Sequence, residues 1–190
     1  MIKKRIPKIR IVGGKFRGSN IPFDFSSRLR PTSNKTREIL FNWLMHDVAN
    51  AKCLDLFSGT GALGIEAISR GAKCVLFIEE NKALYKQLHL NLEKLKALGQ
   101  SKLINGDALK ILLKPVDKTR YDIIFLDPPF RKNILRKIYN KLMEEGLIYN
   151  ETLIYVEAEK ELDLERVFGN WKMLKCKITD QTRFGLFKLK

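Results

Sequence analysis

The sequence predicts a doubly wound, mostly parallel α/β sheet preceded by a small N-terminal β-hairpin and helix extension. Three observations carry this prediction. From Lys52 onward β-like runs alternate with amphipathic helical runs, a glycine-rich turn joins the first such run to a helix, and the chain ends in two β-like runs with no helix between them. Lys52 to Phe57 reads as a strand, Ala62 to Arg70 as a helix and Lys73 to Ile78 as the second strand. Asn81 to Leu98 then repeats leucine at 84, 88, 92 and 95, a helical spacing that marks one buried face. Lys102 to Asn105 and Tyr121 to Leu126 are further strands. Helix Lys132 to Met143 turns Ile134, Ile138 and Leu142 inward, and Thr152 to Glu157 is the fifth strand. Such alternation covers both faces of a parallel sheet. Trp171 to Thr179 and Thr182 to Leu189, joined by Asp180 and Gln181, form a terminal antiparallel hairpin. The order of strands across the sheet does not follow from the sequence.

Residues 1–50 read as a basic extension and 51–190 as the α/β domain. In the extension, Ile9 to Val12 and Asn20 to Phe23 flank Gly13, Gly14 and Gly18, a hairpin pattern. Thr32 or Ser33 caps a helix with Ile39, Leu40, Trp43 and Leu44 on one face. A chain of 190 residues that is 45% hydrophobic can bury a substantial core, which excludes intrinsic disorder. No apolar run approaches the roughly 18 residues of a membrane-spanning helix. Pro7, Lys8 and Arg10 interrupt the N-terminus where a secretory signal would need an apolar stretch, so a cytoplasmic protein is expected. Cys53, Cys74 and Cys176 are odd in number and lack CxxC spacing, which predicts buried, reduced thiols. His46 and His89 have no ligand-like neighbours, and no metal is expected.

Charge is distributed unevenly. Lys+Arg 36 against Asp+Glu 21 gives +15, and residues 1–37 hold eleven of those cations against the single acid Asp24, which places +10 there. A segregated excess of this kind attracts a polyanion, either nucleic acid or an anionic membrane surface. The cations assigned to such contact are Lys8, Arg10, Lys15 and Arg17, with Lys3, Lys4 and Arg5 ahead of them and Arg28, Arg30 and Arg37 nearer the sheet.

The first strand of the α/β domain runs into Asp55-Leu56-Phe57-Ser58-Gly59-Thr60-Gly61-Ala62-Leu63-Gly64, which matches GxGxxG. In an open α/β sheet, ligands bind outside the carboxyl ends of the strands, and glycine lets the backbone approach them. Glu79 ends the second strand, where a carboxylate can accept both hydroxyls of a ribose. A dinucleotide and S-adenosylmethionine compete for such a pocket. Asp55 favours the second, because a carboxylate there repels a pyrophosphate but satisfies an ammonium. The fourth strand ends in Asp127-Pro128-Pro129-Phe130. Proline fixes this turn and leaves the Pro128 carbonyl without a local donor. Asp127 and that carbonyl are paired acceptors for an exocyclic amine, and Phe130 offers a ring on which a base can stack.

Asp55 with Gly59 to Gly64, Glu79, Asp107 in Asn105-Gly106-Asp107-Ala108, and Asp127 to Phe130 together resemble a class I S-adenosylmethionine-dependent methyltransferase of the amino-methylating kind. Arg10 to Gly18, Leu29-Arg30-Pro31-Thr32, Arg37 to Leu44 and Leu153 to Glu157 narrow the resemblance to the RsmD-type family, bacterial enzymes that methylate the N2 amine of one guanine in 16S ribosomal RNA. The resemblance implies a Rossmann-like seven-stranded sheet with its last hairpin antiparallel. It also implies cofactor contacts at Asp55, Phe57, Ser58, Gly59, Thr60 and Gly61, Glu79 on the ribose, and Asp107 and Ala108 near the adenine. Catalysis would fall to Asp127, Pro128 and Phe130, with ribosomal RNA, within a small-subunit particle, as the partner. Asn81 stands where many relatives carry an acid, so no contact is carried over to it. A DNA adenine-N6 methyltransferase can use the same tetrapeptide, a protein glutamine methyltransferase more usually carries Asn at its first position, and a non-catalytic RNA-binding assembly factor could retain the pocket alone.

Overall fold

The computed structural model describes residues 7–23, 32–112, 120–129 and 134–190. In chain order its elements are β1 (Lys8–Arg10), β2 (Asn20–Pro22), α1 (Asn34–Trp43), β3 (Lys52–Asp55), α2 (Ala62–Ser69), β4 (Cys74–Glu79) and α3 (Lys82–Lys94). These are followed by β5 (Ser101–Asn105), α4 (Ala108–Leu112), β6 (Ile123–Leu126), α5 (Leu135–Glu144), β7 (Leu153–Glu159), α6 (Leu164–Val167), β8 (Trp171–Ile178) and β9 (Thr182–Leu189). The first two strands pair antiparallel, with Ile9 opposite Ile21 and both buried. The other seven form one sheet in the order β5-β4-β3-β6-β7-β9-β8, parallel from β5 to β7 and antiparallel at β9 and β8.

This order has a functional consequence. The chain winds outward from β3 through β4 to β5, then returns to lay β6 on the other side of β3. Ligands bind at such a reversal, where the connections leaving two neighbouring strands diverge. Asp55 closes β3 and Asp127 follows β6, so both stand at the reversal.

Alternate residues of each strand feed two cores. Cys53, Phe77, Ile123, Phe125 and Tyr155 join α1, α2, α3 and the hairpin on one face, and Leu54, Ile124 and Ile154 join α4 to α6 on the other. The hairpin's Ile9, Ile11, Ile21 and Phe23 belong to the first core, so it is packed onto the sheet layer. Aromatic pairs Phe41–Phe125 (6.0 Å between centroids), Phe125–Tyr155 (6.4 Å), Tyr155–Phe184 (6.2 Å) and Trp43–Phe184 (5.5 Å) run from α1 across β6, β7 and β9.

Several details differ from the sequence prediction. Ser33 is the cap of α1, its hydroxyl accepting from the Thr36 amide at 3.0 Å, and Thr32 is released from that duty. Helix α3 stops at Lys94, before a left-handed Lys96 (φ 54°) and a 3₁₀ turn at Leu98–Gln100. The short helices α4 and α6 have too few residues to show a periodicity. The predicted start of α5 at Lys132 lies outside the described residues. Of the three cysteines only Cys53 is buried; Cys74 is half-buried and Cys176 is exposed on the edge strand, so the expectation of three buried thiols is corrected. On that strand the register with β9 shifts between Met173 and Lys175. Lys172, Lys175 and Lys177 thereby fall opposite Lys188, Leu186 and Phe184, alternate residues of β9, and share one face.

Candidate active site

The crevice at the end of β3 is built from backbone amides and carboxylates. Gly59 (φ 52°) and Gly61 (φ 79°) adopt left-handed conformations that turn the chain into α2. Ser58 locks the turn: its amide donates to the Ile78 carbonyl at 3.0 Å and its hydroxyl to the Asp55 carbonyl at 2.9 Å. Gly64, in the first turn of α2, donates its amide to Asp55 Oδ2 at 3.2 Å. A β-carbon at Gly64 would stand 2.2 Å from the Phe77 ring, so glycine lets α2 lie against β4. Glu79 binds the loop from the neighbouring strand, its Oε2 accepting from the Gly59 amide at 2.6 Å and its Oε1 from the Asn81 amide at 2.7 Å. Asn81 in turn caps α3, a structural role.

The two carboxylates are strongly perturbed. Burial pushes the Asp55 carboxyl up to about 7, against the Gly64 and Phe57 amides, which favour its anion, and with Glu79 adding repulsion. Burial also raises Glu79, while the Asn81 and Gly59 amides oppose it. Among the described residues no cationic side chain pairs with Asp55. A ligand that brings a positive charge therefore relieves this site.

That arrangement favours one of the two cofactors left open by the sequence. A pyrophosphate needs free amides at a helix N-terminus. Here the Gly59 amide of the loop and the Gly64 amide in the first turn of α2 are already engaged by Glu79 and Asp55, and both partners are acids that a pyrophosphate would meet. S-adenosylmethionine fits the donor set: it has an ammonium and a sulfonium for carboxylates and a ribose diol for Glu79. Phe57 is half-buried and Thr60 buried in the same turn. Asp107, beside β5, accepts from the Lys110 amide at 2.9 Å with Oδ1 and so caps α4, which begins at the buried Ala108.

Asp127 occupies the other side of the reversal. Its Oδ2 accepts a hydrogen bond from the Thr32 hydroxyl at 2.9 Å, a contact spanning 95 positions of sequence. Pro128 is buried and Pro129 exposed. Because Leu126 is in register with Val156, Asp127 is level with Glu157, which lies in β7 just beyond its pairing with β6. Glu157 is buried, and Oε2 accepts from the Tyr155 hydroxyl at 2.9 Å. Burial first, then the nearby Glu157 charge, holds the Asp127 carboxyl well above the usual range; the Thr32 hydroxyl opposes them, and Asp55 adds to the rise. Phe130 lies outside the described residues.

Thr32, Tyr155 and Glu157 had no functional role in the sequence reading. One signal was available for Glu157. An acid stands within two residues of the end of each parallel strand, Asp55, Glu79, Asp107, Asp127 and Glu157, all toward the carboxyl edge of the sheet.

The predicted nucleic-acid contacts separate into two groups. Lys8, Arg10, Lys15 and Arg17 are all exposed on or beside the hairpin, with Lys15 held by a hydrogen bond to Gln100 Oε1 at 2.5 Å and lying over the Phe16 ring. Arg37 is corrected. It is fully buried, its guanidinium 3.4 Å from Glu66 Oε2, donating to the Arg10 carbonyl at 2.8 Å and to Asn34 Oδ1 at 2.5 Å. Glu66 also accepts from the Val12 amide at 3.0 Å and Arg70 Nε at 2.9 Å, so Arg37 fastens the hairpin and α1 to α2 and cannot reach a phosphate. Arg30, Arg28, Lys3, Lys4 and Arg5 lie outside the described residues.

A family model described as conserved hypothetical protein 95 matches residues 9–188. The ribosomal RNA small subunit methyltransferase D of Escherichia coli (strain K12) is 42% identical over 181 residues, 95% of this chain and 90% of the relative. The chain belongs to the RsmD family. The protein of the same name from Haemophilus influenzae is 40% identical over 182 residues, 95% of this chain and 94% of that relative. Among solved structures, yhhF from Escherichia coli superposes with a TM-score of 0.87 at 41% identity, covering 97% of this chain and 99% of that one. The match to the RsmD family thus includes the hairpin and α1 as well as the sheet.

Proposed function

We propose that this chain transfers a methyl group from S-adenosylmethionine to the exocyclic N2 amine of a guanine in 16S ribosomal RNA, within a small-subunit particle in the cytoplasm. The observation that carries this reading is the carboxylate of Asp127 just past β6 at the strand reversal, accepting a hydrogen bond from Thr32 and following the strand paired with the one that Asp55 closes. The relatives named for small-subunit ribosomal RNA methylation support it.

When bound, S-adenosylmethionine supplies an electrophilic methyl group on a sulfonium that departs as a neutral thioether. Asp55 pairs with its ammonium, Glu79 accepts from the ribose hydroxyls, and the Phe57 to Gly61 turn with Asp107 and Ala108 encloses the nucleoside. Asp127 and the Pro128 carbonyl accept the two amine hydrogens of the guanine, which turns the nitrogen lone pair toward the donor. That amine is a poor nucleophile because its lone pair is delocalised into the ring, so orientation and stabilisation of developing charge supply the catalysis. As the nitrogen–carbon bond forms, one amine proton passes to Asp127 and then to water. A carboxylate with a raised affinity for protons is suited to that transfer. Phe130 stacks the base. No step draws on a metal ion.

Residues 1–50 serve as the RNA-contacting extension and 51–190 as the catalytic unit. Lys8, Arg10, Lys15 and Arg17 contact phosphates, and Arg30 is assigned to the same surface from its sequence position. Among the described residues no helix is long and apolar enough to cross a membrane. The deciding assay incubates the protein with labelled S-adenosylmethionine and unmodified small-subunit particles, free ribosomal RNA or DNA, then identifies the methylated nucleoside. N2-methylguanosine in small-subunit RNA is expected. Label in DNA adenine, or no transfer at all, refutes the proposal.

A further inference from the structure

We propose that Thr32 is a positioning residue of the methyl-transfer site, fixing the Asp127 carboxylate so that Oδ1 is presented to the substrate amine. This rests on the methyltransferase reading above and extends the site into the N-terminal segment. A threonine hydroxyl carries one proton and an ionised carboxylate only accepts, so the 2.9 Å contact engages Oδ2 and leaves Oδ1 as the oxygen available to a base.

The hydroxyl has no competing duty in the helix that follows, because Ser33 already caps α1. Thr32 is 8% exposed and held on both sides. Behind it, α1 is pinned by Arg37 through Glu66, Asn34 and the Arg10 carbonyl. A branched β-carbon restricts its side-chain rotation. On the other partner, the following proline confines the backbone of Asp127 to extended conformations. Among the described residues, the charged groups that face Asp127 are Glu157 from β7, fixed by the Tyr155 hydroxyl, and Asp55 from β3. Both repel its anion. Thr32 is the neutral donor that opposes this repulsion, and without it the carboxylate turns or takes up a proton.

The test compares full-length wild type, Thr32→Val and Thr32→Ser in methylation of unmodified small-subunit particles across pH, with thermal melting of each. Thr32→Val keeps the shape and removes the donor. Its kcat is expected to fall roughly ten- to a hundredfold, the loss of one hydrogen bond to a charged group. The KM for S-adenosylmethionine stays unchanged, the melting temperature falls by no more than several degrees, and the acid limb of the pH profile moves to higher pH. Thr32→Ser restores turnover to within about threefold of wild type, since its hydroxyl can make the same bond. An active wild type beside a Thr32→Val with normal turnover and an unmoved acid limb overturns this inference alone. A loss that Thr32→Ser does not rescue also overturns it. A wild type that methylates nothing overturns the functional reading, and this inference with it.

Discussion

The two sides of the strand reversal are built in opposite ways. The Asp55 crevice comes from one short stretch plus a neighbouring strand: Asp55, Ser58, Gly59, Gly61 and Gly64 lie within ten residues, and Glu79 reaches the loop from 20 positions away. Its partners are main-chain amides. The Asp127 corner draws instead on three distant segments, with Thr32 coming from 95 positions earlier and Glu157 from the next strand. Its partners are side chains. A site made of backbone survives substitution of most neighbours, whereas a site made of side chains depends on how remote segments are docked.

The largest expected effect concerns the crevice. An acid whose folded-state carboxyl lies at about 7 instead of 3.8 binds more protons folded than unfolded between those values, so the ligand-free protein loses stability as pH rises from about 4 to about 7 and no further above it. The full difference corresponds to ~4 kcal/mol. Denaturant unfolding across that interval should show Asp55→Asn lacking this loss, and S-adenosylmethionine should reduce it in the wild type. Identical pH profiles for wild type and variant would remove the crevice's electrostatic account.

Remote docking is tested next. Arg37→Ala leaves Glu66 buried with one fewer partner and should lower the unfolding free energy by ~3 kcal/mol, read from urea titration. A change within experimental error would mean that the corner does not depend on this anchor. Asp127→Ala should then slow turnover roughly a hundredfold, ~2.7 kcal/mol of barrier, while calorimetry finds unchanged affinity for S-adenosylmethionine. Equal losses in turnover and cofactor affinity would merge the two sides into a single site. The smallest effect belongs to the hairpin. Lys8→Ala should reduce the slope of log binding constant against log salt by about one and leave the melting temperature alone. Arg37→Ala should leave that slope unchanged, since its guanidinium is already paired inside the protein.

Much of the crevice was legible in the sequence because its determinants are adjacent: the acid, the glycines and the strand-ending Glu79 can be read in one pass. Asp127 was also legible, since a rigid Pro-Pro turn after an apolar strand marks a strand end by itself. Its surroundings were not, because nothing local to Thr32 reports a contact made by the chain's return to β6. Thr32 resembled a helix cap, and Ser33 one residue later satisfied the same pattern. Arg37 was misread for a related reason. A cation in a basic stretch reads as solvated, and the acid that neutralises it stands 29 positions on, in α2. Strand order was equally hidden, since it is set by which faces pack and not by any one segment. The short helices α4 and α6 escaped because five and four residues do not establish a period.

The open flank of the sheet has a consequence for handling the molecule. An unpaired outer strand offers its main chain as a template on which another copy can add, the usual start of aggregation. Here the kink at Leu174 breaks the flat ladder such an addition requires, and the lysines at 172, 175 and 177 crowd like charges along the approach. The exposed Leu174 and Ile178 are therefore guarded against self-recruitment, and the protein can stay dispersed at concentrations where an uncharged, unbroken edge would begin to stack.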